Sequence, residues 1–322
     1  MQQRPSVVNW NMALDERPLV SIIIPAYVAT ARQSALLDET LGTVNQQSYT
    51  NYEVIVVDDG SPLELASVVA RHPRACTLRR KNAGSALARN TGIEASRGSY
   101  LVFLDADDHL LPAALERGLR AFGEHPECGF VVGRREEMTY EGGPVAWGVP
   151  ASPGSARLYN TLLAFDWYII PPSSAMFRRA VVQTVGGFRD PWGADDLDFY
   201  LRVARASFGF CYDDTAVTRY RRYSASSSRD GERMLRSVRA VYARQWPLIQ
   251  GDREAEAAYR KGLAELTRIL TACLLENVRD RARAGQWRKA LRSSALLTME
   301  IARRTAADGV RALRPTTAQS ST

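Results

Sequence analysis

The chain has 322 residues, of which 45% are hydrophobic and 24% are charged, and its formal net charge at pH 7 is +7. This composition is that of an ordinary globular protein, and the length suffices for one large domain plus an appendage. No run of about 18 apolar residues is present, which argues against a membrane span. The N-terminus lacks the apolar segment of a signal peptide, so none is expected.

The four cysteines, Cys76, Cys128, Cys211 and Cys273, lie far apart in the sequence. Their spacing matches no zinc-binding pattern, so we expect no zinc site. Without such spacing a reducing compartment is the default, and we expect a cytoplasmic location.

Strands and helices alternate along the first third of the chain, after a polar and irregular start at 1–18. The predicted elements are a strand at 19–24 that ends at Pro25, a helix at about 31–47, a strand at 52–57, a short strand at 76–78, a helix at 85–96 and a strand at 101–104. Such alternation predicts a parallel sheet with right-handed crossovers. We also expect a helix after the turn at 60–62, with Ser61 as its N-cap and Pro62 in its first position.

This alternation ends near Pro112. The elements predicted beyond it are a strand at 130–132, a loop or irregular hairpin at 141–154, a helix from Asp195 with apolar positions on one face, and a helical region from about Glu232 that is interrupted at Gly285. Residues from Thr316 onward have the composition of a disordered tail.

Four apolar residues at 101–104 run directly into the acids Asp105, Asp107 and Asp108. A continuous apolar run is typical of a strand that is covered on both faces, and open α/β sheets bind ligands outside the carboxyl ends of their strands. Clustered carboxylates favour protonation unless a cation compensates them, and hard divalent cations that carry phosphates are held by one or two carboxylates. The pattern favours a metal–phosphate site. The alternative is an acidic, solvated loop.

Five motifs in this order and spacing resemble those of family 2 (GT-A fold) glycosyltransferases. They lie at 20–27, 56–61, 82–92, 105–108 and 195–196. The resemblance covers about residues 19–225. It implies a GT-A (Rossmann-like) α/β fold, with a mostly parallel central sheet flanked by helices and followed by a C-terminal helical region.

The resemblance also implies a division of the chain into parts. These are an irregular N-terminal segment 1–18, a GT-A catalytic domain 19–230, a helical C-terminal region 231–314 and a disordered tail 315–322. Within the catalytic domain, 19–111 would form the nucleotide-binding half and 112–230 the acceptor half.

A nucleotide-sugar donor needs its base held, its diphosphate neutralised and its anomeric carbon exposed. The resemblance implies that Pro25, Ala26 and Tyr27 line the slot for the base, with Tyr27 stacked on it, and that Asp59 accepts a hydrogen bond from the base. The alternatives are a core aromatic at the strand end for Tyr27 and a turn residue that caps the next helix for Asp59.

Asn82, Gly84 and Arg89 complete the donor-binding set that the resemblance implies. Gly84 allows the backbone to approach a ligand closely. Arg89 either neutralises phosphate or pairs with an acid, and the sequence leaves both roles open.

The triplet Asp105, Ala106 and Asp107 matches the DxD motif of the family. The resemblance implies that Asp107 binds Mn²⁺ or Mg²⁺ directly and that Asp105 contacts the ribose or metal-bound water. The metal would offset the charge that develops on the departing nucleoside diphosphate. Asp108 would support this site, whereas His109 is expected to be a surface residue.

Asp195 and Asp196 match the acidic pair of the family, and both are assigned to catalysis. The resemblance implies that Asp196 is the general base, which takes a proton from the acceptor nucleophile during a single in-line displacement with inversion. The alternative is a pair of acids that the dipole favours at a helix N-terminus. Asp198 is expected to face away.

The chain departs from the family pattern at two places. Tyr223 stands where many relatives have a metal-binding histidine, so Arg221 or Arg222 is a candidate for contact with the diphosphate. The chain also lacks the Gln-x-x-Arg-Trp motif of processive membrane synthases, which favours single transfers.

The acceptor is the least specified part of the reaction. Phe188 and Trp192 are the acceptor-binding candidates, because aromatic faces suit sugar rings, and Trp147 and Trp167 are weaker ones; each could equally be a core residue. The expected donor is a UDP-sugar. The acceptor could be a glycan, a lipid-linked sugar, a natural product or a peptide.

Two other functions remain open. A sugar nucleotidyltransferase also uses an α/β sheet and a metal, but the glycine-rich phosphate loop that it needs is missing at 25–28. The other is a non-catalytic scaffold with a docking region. Residues 278–322 hold ten Lys or Arg and three acids. The basic C-terminal helices predicted there could dock on a partner or on the inner face of a membrane. Alternatively they pack on the catalytic domain. No nucleic-acid-binding module is visible, and no nucleic acid is expected.

Overall fold

The computed structural model describes residues 17–145, 158–169, 171–189, 193–223 and 229–312, with side chains described as far as residue 300. The strands are β1 Val20–Ala26, β2 Tyr52–Asp58, β3 Ala75–Arg79, β4 Tyr100–Phe103, β5 His109–Leu110, β6 Cys128–Met138, β7 Pro144–Val145, β8 Ala175–Arg178 and β9 Gly209–Arg221. The helices are α1 Ala31–Val44, α2 Ala66–Val69, α3 Ser85–Ala95, α4 Ala114–Glu124, α5 Leu158–Leu163, α6 Arg179–Val185, α7 Asp195–Arg205, α8 Gly231–Ile249, α9 Arg253–Arg283 and α10 Trp287–Ala312.

The strands form one sheet in the order β3-β2-β1-β4-β8-β6-β9-β5, with β7 paired to β6. The first four of these strands are parallel, as the alternation of strands and helices predicts. Strand β8 then runs antiparallel between β4 and β6, and β9 runs parallel to β6 with three register shifts. The expected α/β class and C-terminal helices are confirmed, but the run of four parallel strands is confined to residues 20–103.

The predicted helix start at Ser61 is wrong. The Ser61 hydroxyl accepts a hydrogen bond from the backbone N–H of Val28 at 2.8 Å, and its own N–H donates to Oδ1 of Asp58 at 2.8 Å. Ser61 therefore joins the ends of β1 and β2 instead of capping a helix, and the next helix begins only at Ala66. Pro25 likewise lies within β1 rather than ending it.

Two of the four cysteines form a disulfide, which their spacing in the sequence did not indicate. Cys128 and Cys211 form a disulfide across the neighbouring strands β6 and β9, with their Cα atoms 6.1 Å apart, although 83 positions separate them in the sequence. Separation along the chain was therefore no guide to pairing, and the argument for a reducing compartment loses its basis. Cys76 and Cys273 are free thiols.

The C-terminal helices pack on the sheet domain. Helix α8 contacts α7, and α9 contacts α5, α8 and α10. Asp230 and Asp252 cap the first turns of α8 and α9 by accepting hydrogen bonds from backbone N–H groups, at 3.2 and 3.0 Å. None of the helices in the described part of the chain is long and apolar enough to cross a membrane. The predicted tail 315–322 and residues 1–16 lie outside the described residues.

Candidate active site

The carboxyl ends of β1, β2 and β4 meet at one edge of the sheet, because these strands are parallel neighbours. A cavity of about 720 Å³ opens there. It is lined by every described member of the predicted catalytic and donor-binding sets: Pro25, Ala26, Tyr27, Asp59, Asn82, Gly84, Arg89, Asp105, Ala106, Asp107, Asp195 and Asp196. Residues scattered over 170 positions thus converge on one cleft, as the motif order predicts.

Tyr27 and Asp59, which were predicted to contact the base, both line the cavity. Tyr27 is 49% exposed at the cavity, so its ring is available for stacking. The buried Asp59 carboxylate accepts hydrogen bonds from the backbone N–H groups of Ala83, at 3.1 Å, and Gly84, at 2.8 Å. Gly84 has a φ of +95°, which favours glycine, and α3 starts directly after it. Asp59 therefore orders the loop that faces the cavity.

Arg89 links the DxD segment to the helix of the predicted base. Its buried guanidinium donates hydrogen bonds to Oδ1 of Asp105, at 2.6 Å, and to Oδ2 of Asp195. Burial opposes its charge, but Asp195 and Asp105 outweigh burial and raise the pKa of Arg89 above its ordinary value. Of the two roles that the sequence left open, the structure shows acid pairing.

Asp107 and Asp108, which follow β4, form no salt bridge within the described residues, in contrast to Asp105. Oδ1 of Asp108 accepts a hydrogen bond from the backbone N–H of Arg221 at 2.9 Å, whereas its buried Oδ2 has no hydrogen-bond partner among the described residues. Burial and the neighbouring acids raise the pKa values of Asp107 and Asp108. A group of oxygen ligands with an uncompensated buried carboxylate fits a hard divalent cation.

Arg221 and Arg222, at the end of β9, are both paired with protein groups. The side chain of Arg221 is buried, with Nε donating to the backbone oxygen of Asp107 at 2.8 Å and NH2 donating to Glu39 at 3.0 Å. Arg222 pairs with Glu137 at 2.9 Å. Arg221 also lines the cavity, whereas Arg222 is not among its lining residues; contact of either arginine with the diphosphate stays a prediction. His109, expected at the surface, is mostly buried beside Glu39, with its Nε2 2.7 Å from Oε1.

The predicted base lies in the first turn of α7. Asp196 is half-buried, and its Oδ1 accepts a hydrogen bond from the N–H of Leu197 at 2.7 Å. Burial raises the pKa of Asp196 and raises the pKa of Asp195 to about 7, while Arg89 opposes both shifts. A carboxylate with a raised pKa is a stronger base near neutral pH. Asp198 faces away as expected, because it pairs with Arg202 and Arg244.

The acceptor assignment of Phe188 is wrong. Its side chain is buried, with its ring 4.5 Å from that of Phe199 and 4.8 Å from that of Phe103. Trp167 is also a core residue, 5.5 Å from Phe210. Both rings complete the apolar core and cannot lie against a sugar. Trp147 and Trp192 lie outside the described residues.

One wall of the cavity was not predicted from the sequence. It comes from the C-terminal helices, with Met234 and Val238 from α8 and Leu266, Ile269 and Leu270 from α9. Apolar residues on helices are typical of any core face, so their periodicity contains no signal that separates a ligand wall from ordinary packing.

Comparisons with known proteins agree with this site. Residues 21–186 match the model of "Glycosyl transferase family 2". An uncharacterized protein of Mycobacterium tuberculosis, MT1568, is 30% identical over 260 residues, which are 74% of this chain and 76% of that protein. Two other relatives are much longer, and the chain spans 20% and 17% of them.

Two solved structures share the fold. Staphylococcus aureus TarS 1-349, solved in complex with UDP-GlcNAc, has a TM-score of 0.57 and 16% identity, and the match covers 89% of this chain and 92% of that one. The mannosyltransferase PcManGT of Pyrobaculum calidifontis, in complex with GDP-Man and Mn²⁺, has a TM-score of 0.57 and 21% identity over 89% and 85% of the two chains. The family match, which covers half of the chain and four of its five motifs, leads to one conclusion: the chain belongs to glycosyl transferase family 2.

Proposed function

We propose that the protein is an inverting glycosyltransferase that moves a sugar from a nucleotide-diphosphate donor, a UDP-sugar, to an acceptor nucleophile by single in-line displacement. The observation that carries this proposal is the convergence of Asp59, Asp107 and Asp196 on one cavity. These side chains come from the ends of β2 and β4 and from the start of α7. In the proposed reaction, Asp59 would contact the base and Asp107 would hold the metal that neutralises the diphosphate. Asp196 would accept the proton.

Asp107 and Asp105 would hold a divalent metal, Mn²⁺ or Mg²⁺. When bound, such a metal would offset the negative charge on the departing nucleoside diphosphate. The raised pKa values of Asp107 and Asp108 and the unpartnered Oδ2 of Asp108 support this assignment, as does the Mn²⁺ in the PcManGT complex. The solved neighbours hold UDP-GlcNAc and GDP-Man, so the uridine base is our choice between the two.

The transfer itself would use Asp196 as general base. The acceptor hydroxyl loses its proton to Asp196 while its oxygen bonds to the anomeric carbon. The bond from that carbon to the diphosphate oxygen breaks, and the nucleoside diphosphate leaves. A single base and one displacement give inversion. Arg89 would hold Asp195 and Asp105 in place, because it hydrogen-bonds to both.

A thermal-shift screen tests this function. UDP- and GDP-sugars are added with and without Mn²⁺, and a donor that binds only the folded protein raises Tm. We expect the largest rise with a UDP-sugar plus Mn²⁺, and loss of that rise in Asp107→Ala. If no nucleotide sugar raises Tm and none is hydrolysed, the proposal fails. A higher Tm with a GDP-sugar would overturn the assignment of the base only.

The exposed face of α10 favours a second property, contact with an anionic membrane. Trp287 and Leu291 are 64% and 70% exposed, one helical turn apart, and Met299 is exposed on the same helix. Arg288 and Lys289 lie exposed beside them. An apolar stripe next to basic side chains is typical of helices that lie in a membrane interface.

Vesicle binding tests this second property. We expect the protein to sediment with phosphatidylglycerol vesicles but not with phosphatidylcholine vesicles, less at high salt, and less in Trp287→Ser/Leu291→Ser. Equal binding to both lipids, or none to either, would contradict it. The exposed Leu87→Ser is the matched control, because Leu87 lies on α3, outside this helix.

A further inference from the structure

The candidate active-site cavity continues from the predicted base to an apolar wall. Leu197 and Tyr200, which follow Asp196 on α7, both line the cavity. Beyond them the wall is formed by Met234 and Val238 of α8 and by Leu266 and Ile269 of α9. Among the described lining residues of these two C-terminal helices, Arg233 alone is charged. The acidic and apolar parts are therefore halves of one continuous space.

Helix α8 lies directly against the segment that positions the base. A Cβ atom added to Gly193 would lie 2.3 Å from Oγ of Ser237 and 3.7 Å from Sδ of Met234. Only a residue without a side chain fits such an approach. The apolar wall thus begins three residues from Asp196, within reach of a molecule whose nucleophile is held by that carboxylate.

Helix α9 is packed equally closely against the sheet domain. A Cβ atom on Gly262 would lie 1.9 Å from the backbone oxygen of Leu163, at the end of α5. The Tyr242 hydroxyl donates to that same oxygen at 2.6 Å. Both helices lie beyond residue 186, where the match to the family model ends. The wall is therefore a property of this chain's C-terminal region.

We propose that this wall binds an apolar group of the acceptor, so that the acceptor is an amphiphile whose nucleophilic hydroxyl is attached to an alkyl or aryl part. The proposal rests on the proposed function, in which Asp196 deprotonates the acceptor. A wholly polar sugar would leave the partly exposed side chains of Met234 and Ile269 in contact with water. An alkyl group placed there gains about 0.8 kcal/mol for each buried methylene.

A series of n-alkyl β-D-glucosides from methyl to octyl, kept below their micelle-forming concentrations, tests the proposal. Binding is measured by calorimetry in the presence of UDP and Mn²⁺. We expect the affinity to rise up to about fourfold for each added methylene that is buried. Equal affinity for the methyl and octyl glucosides would overturn the proposal.

Two variants locate the binding. Ile269→Trp narrows the apolar part and should abolish the dependence on chain length, while Leu275→Trp places the same side chain at an exposed position of the same helix and should not. The Tm shift with UDP and Mn²⁺ reports whether each variant is folded. If the chain-length dependence persists in a folded Ile269→Trp, the apolar group binds elsewhere and the proposal fails. Failure of UDP binding or donor hydrolysis in the unaltered protein would instead count against the proposed function.

Discussion

The hydroxyl of Tyr223 donates a hydrogen bond to Oδ2 of Asp107 at 2.8 Å. This bond ties the segment after β9 to the DxD motif, at the position where many relatives have a histidine. Burial and the charge of Asp107 raise the pKa of Tyr223 above its ordinary value, so the phenol stays protonated and acts as a hydrogen-bond donor. Tyr223 therefore orients a predicted metal ligand rather than serving as one.

A histidine at this position should strengthen metal binding. We expect Tyr223→His to bind Mn²⁺ in the presence of UDP more tightly than the unaltered protein, because neutral imidazole is a good metal ligand. Tyr223→Phe removes the hydrogen bond without adding a ligand and is the matched control. Titration calorimetry measures both. An affinity of Tyr223→His no higher than that of Tyr223→Phe would contradict this interpretation.

Loss of the base should slow transfer without weakening donor binding. We expect Asp196→Asn to lower the rate by a factor on the order of 10²–10⁴, the usual contribution of a general base. The Tm shift with UDP and Mn²⁺ should be unchanged. Asp280→Asn, on the exposed part of α9, controls for the loss of one carboxylate. An undiminished rate in Asp196→Asn would remove that residue from the base role.

The buried Arg89 should matter for stability as well as for the site. Arg89→Met leaves Asp105 and Asp195 without their cation, and breaking a buried ion pair costs about 3–5 kcal/mol. Arg97→Met removes an exposed arginine that pairs with Glu53, and should cost less than about 1 kcal/mol. Urea unfolding measures the free energy of both variants. An equal decrease in the free energy of unfolding in both variants would contradict the larger cost expected for the buried Arg89.

The rate of transfer should depend on pH near neutrality. Asp195 and Asp196 interact and titrate together, and burial raises the pKa of Asp195 to about 7 and raises the pKa of Asp196. Asp196 is protonated below its raised pKa and ionised above it, so the rate should increase as the pH rises beyond the ordinary range of an aspartate.

Asp195→Asn removes a like charge beside the base, which should lower the pKa of Asp196 and move the acidic limb of the profile to lower pH. A profile of initial rates between pH 5 and 9 measures this limb. An unchanged limb in the variant would contradict the coupling.

Most of the strands and helices of residues 19–111 were predictable because their sequence signals are local. Strands β1, β2 and β4 are largely apolar runs, and acids follow β2 and β4 closely in the sequence. Parallel neighbours bring their carboxyl ends to one edge, so the sequence sufficed to predict that Asp59 and Asp107 meet. The position of Asp196 needed the motif resemblance, because no local rule links α7 to that edge.

The part of the chain after residue 112 was harder to predict because its features depend on partners that are distant in the sequence. Strand β9 includes Asp213 and Asp214, which interrupt its apolar alternation, and its register against β6 shifts three times. The Cys128–Cys211 pair and the ligand wall of α8 and α9 arise only when these segments meet. Burial of Phe188 is of the same kind: an aromatic residue in a loop gives no sign of whether its ring meets protein or ligand.

The bridge made by Arg89 limits how this protein can be recombined with its relatives. Its two carboxylate partners stand 16 and 106 positions further along the chain. A chimera that joined residues 1–111 to a foreign remainder would keep the guanidinium and Asp105. It would keep the second partner only if the remainder carried an acid at the start of its own seventh helix. Without that acid, the buried guanidinium of Arg89 would have only one of its two carboxylate partners. The segment that contains Arg89 and the segment that contains Asp195 would therefore have to be exchanged together.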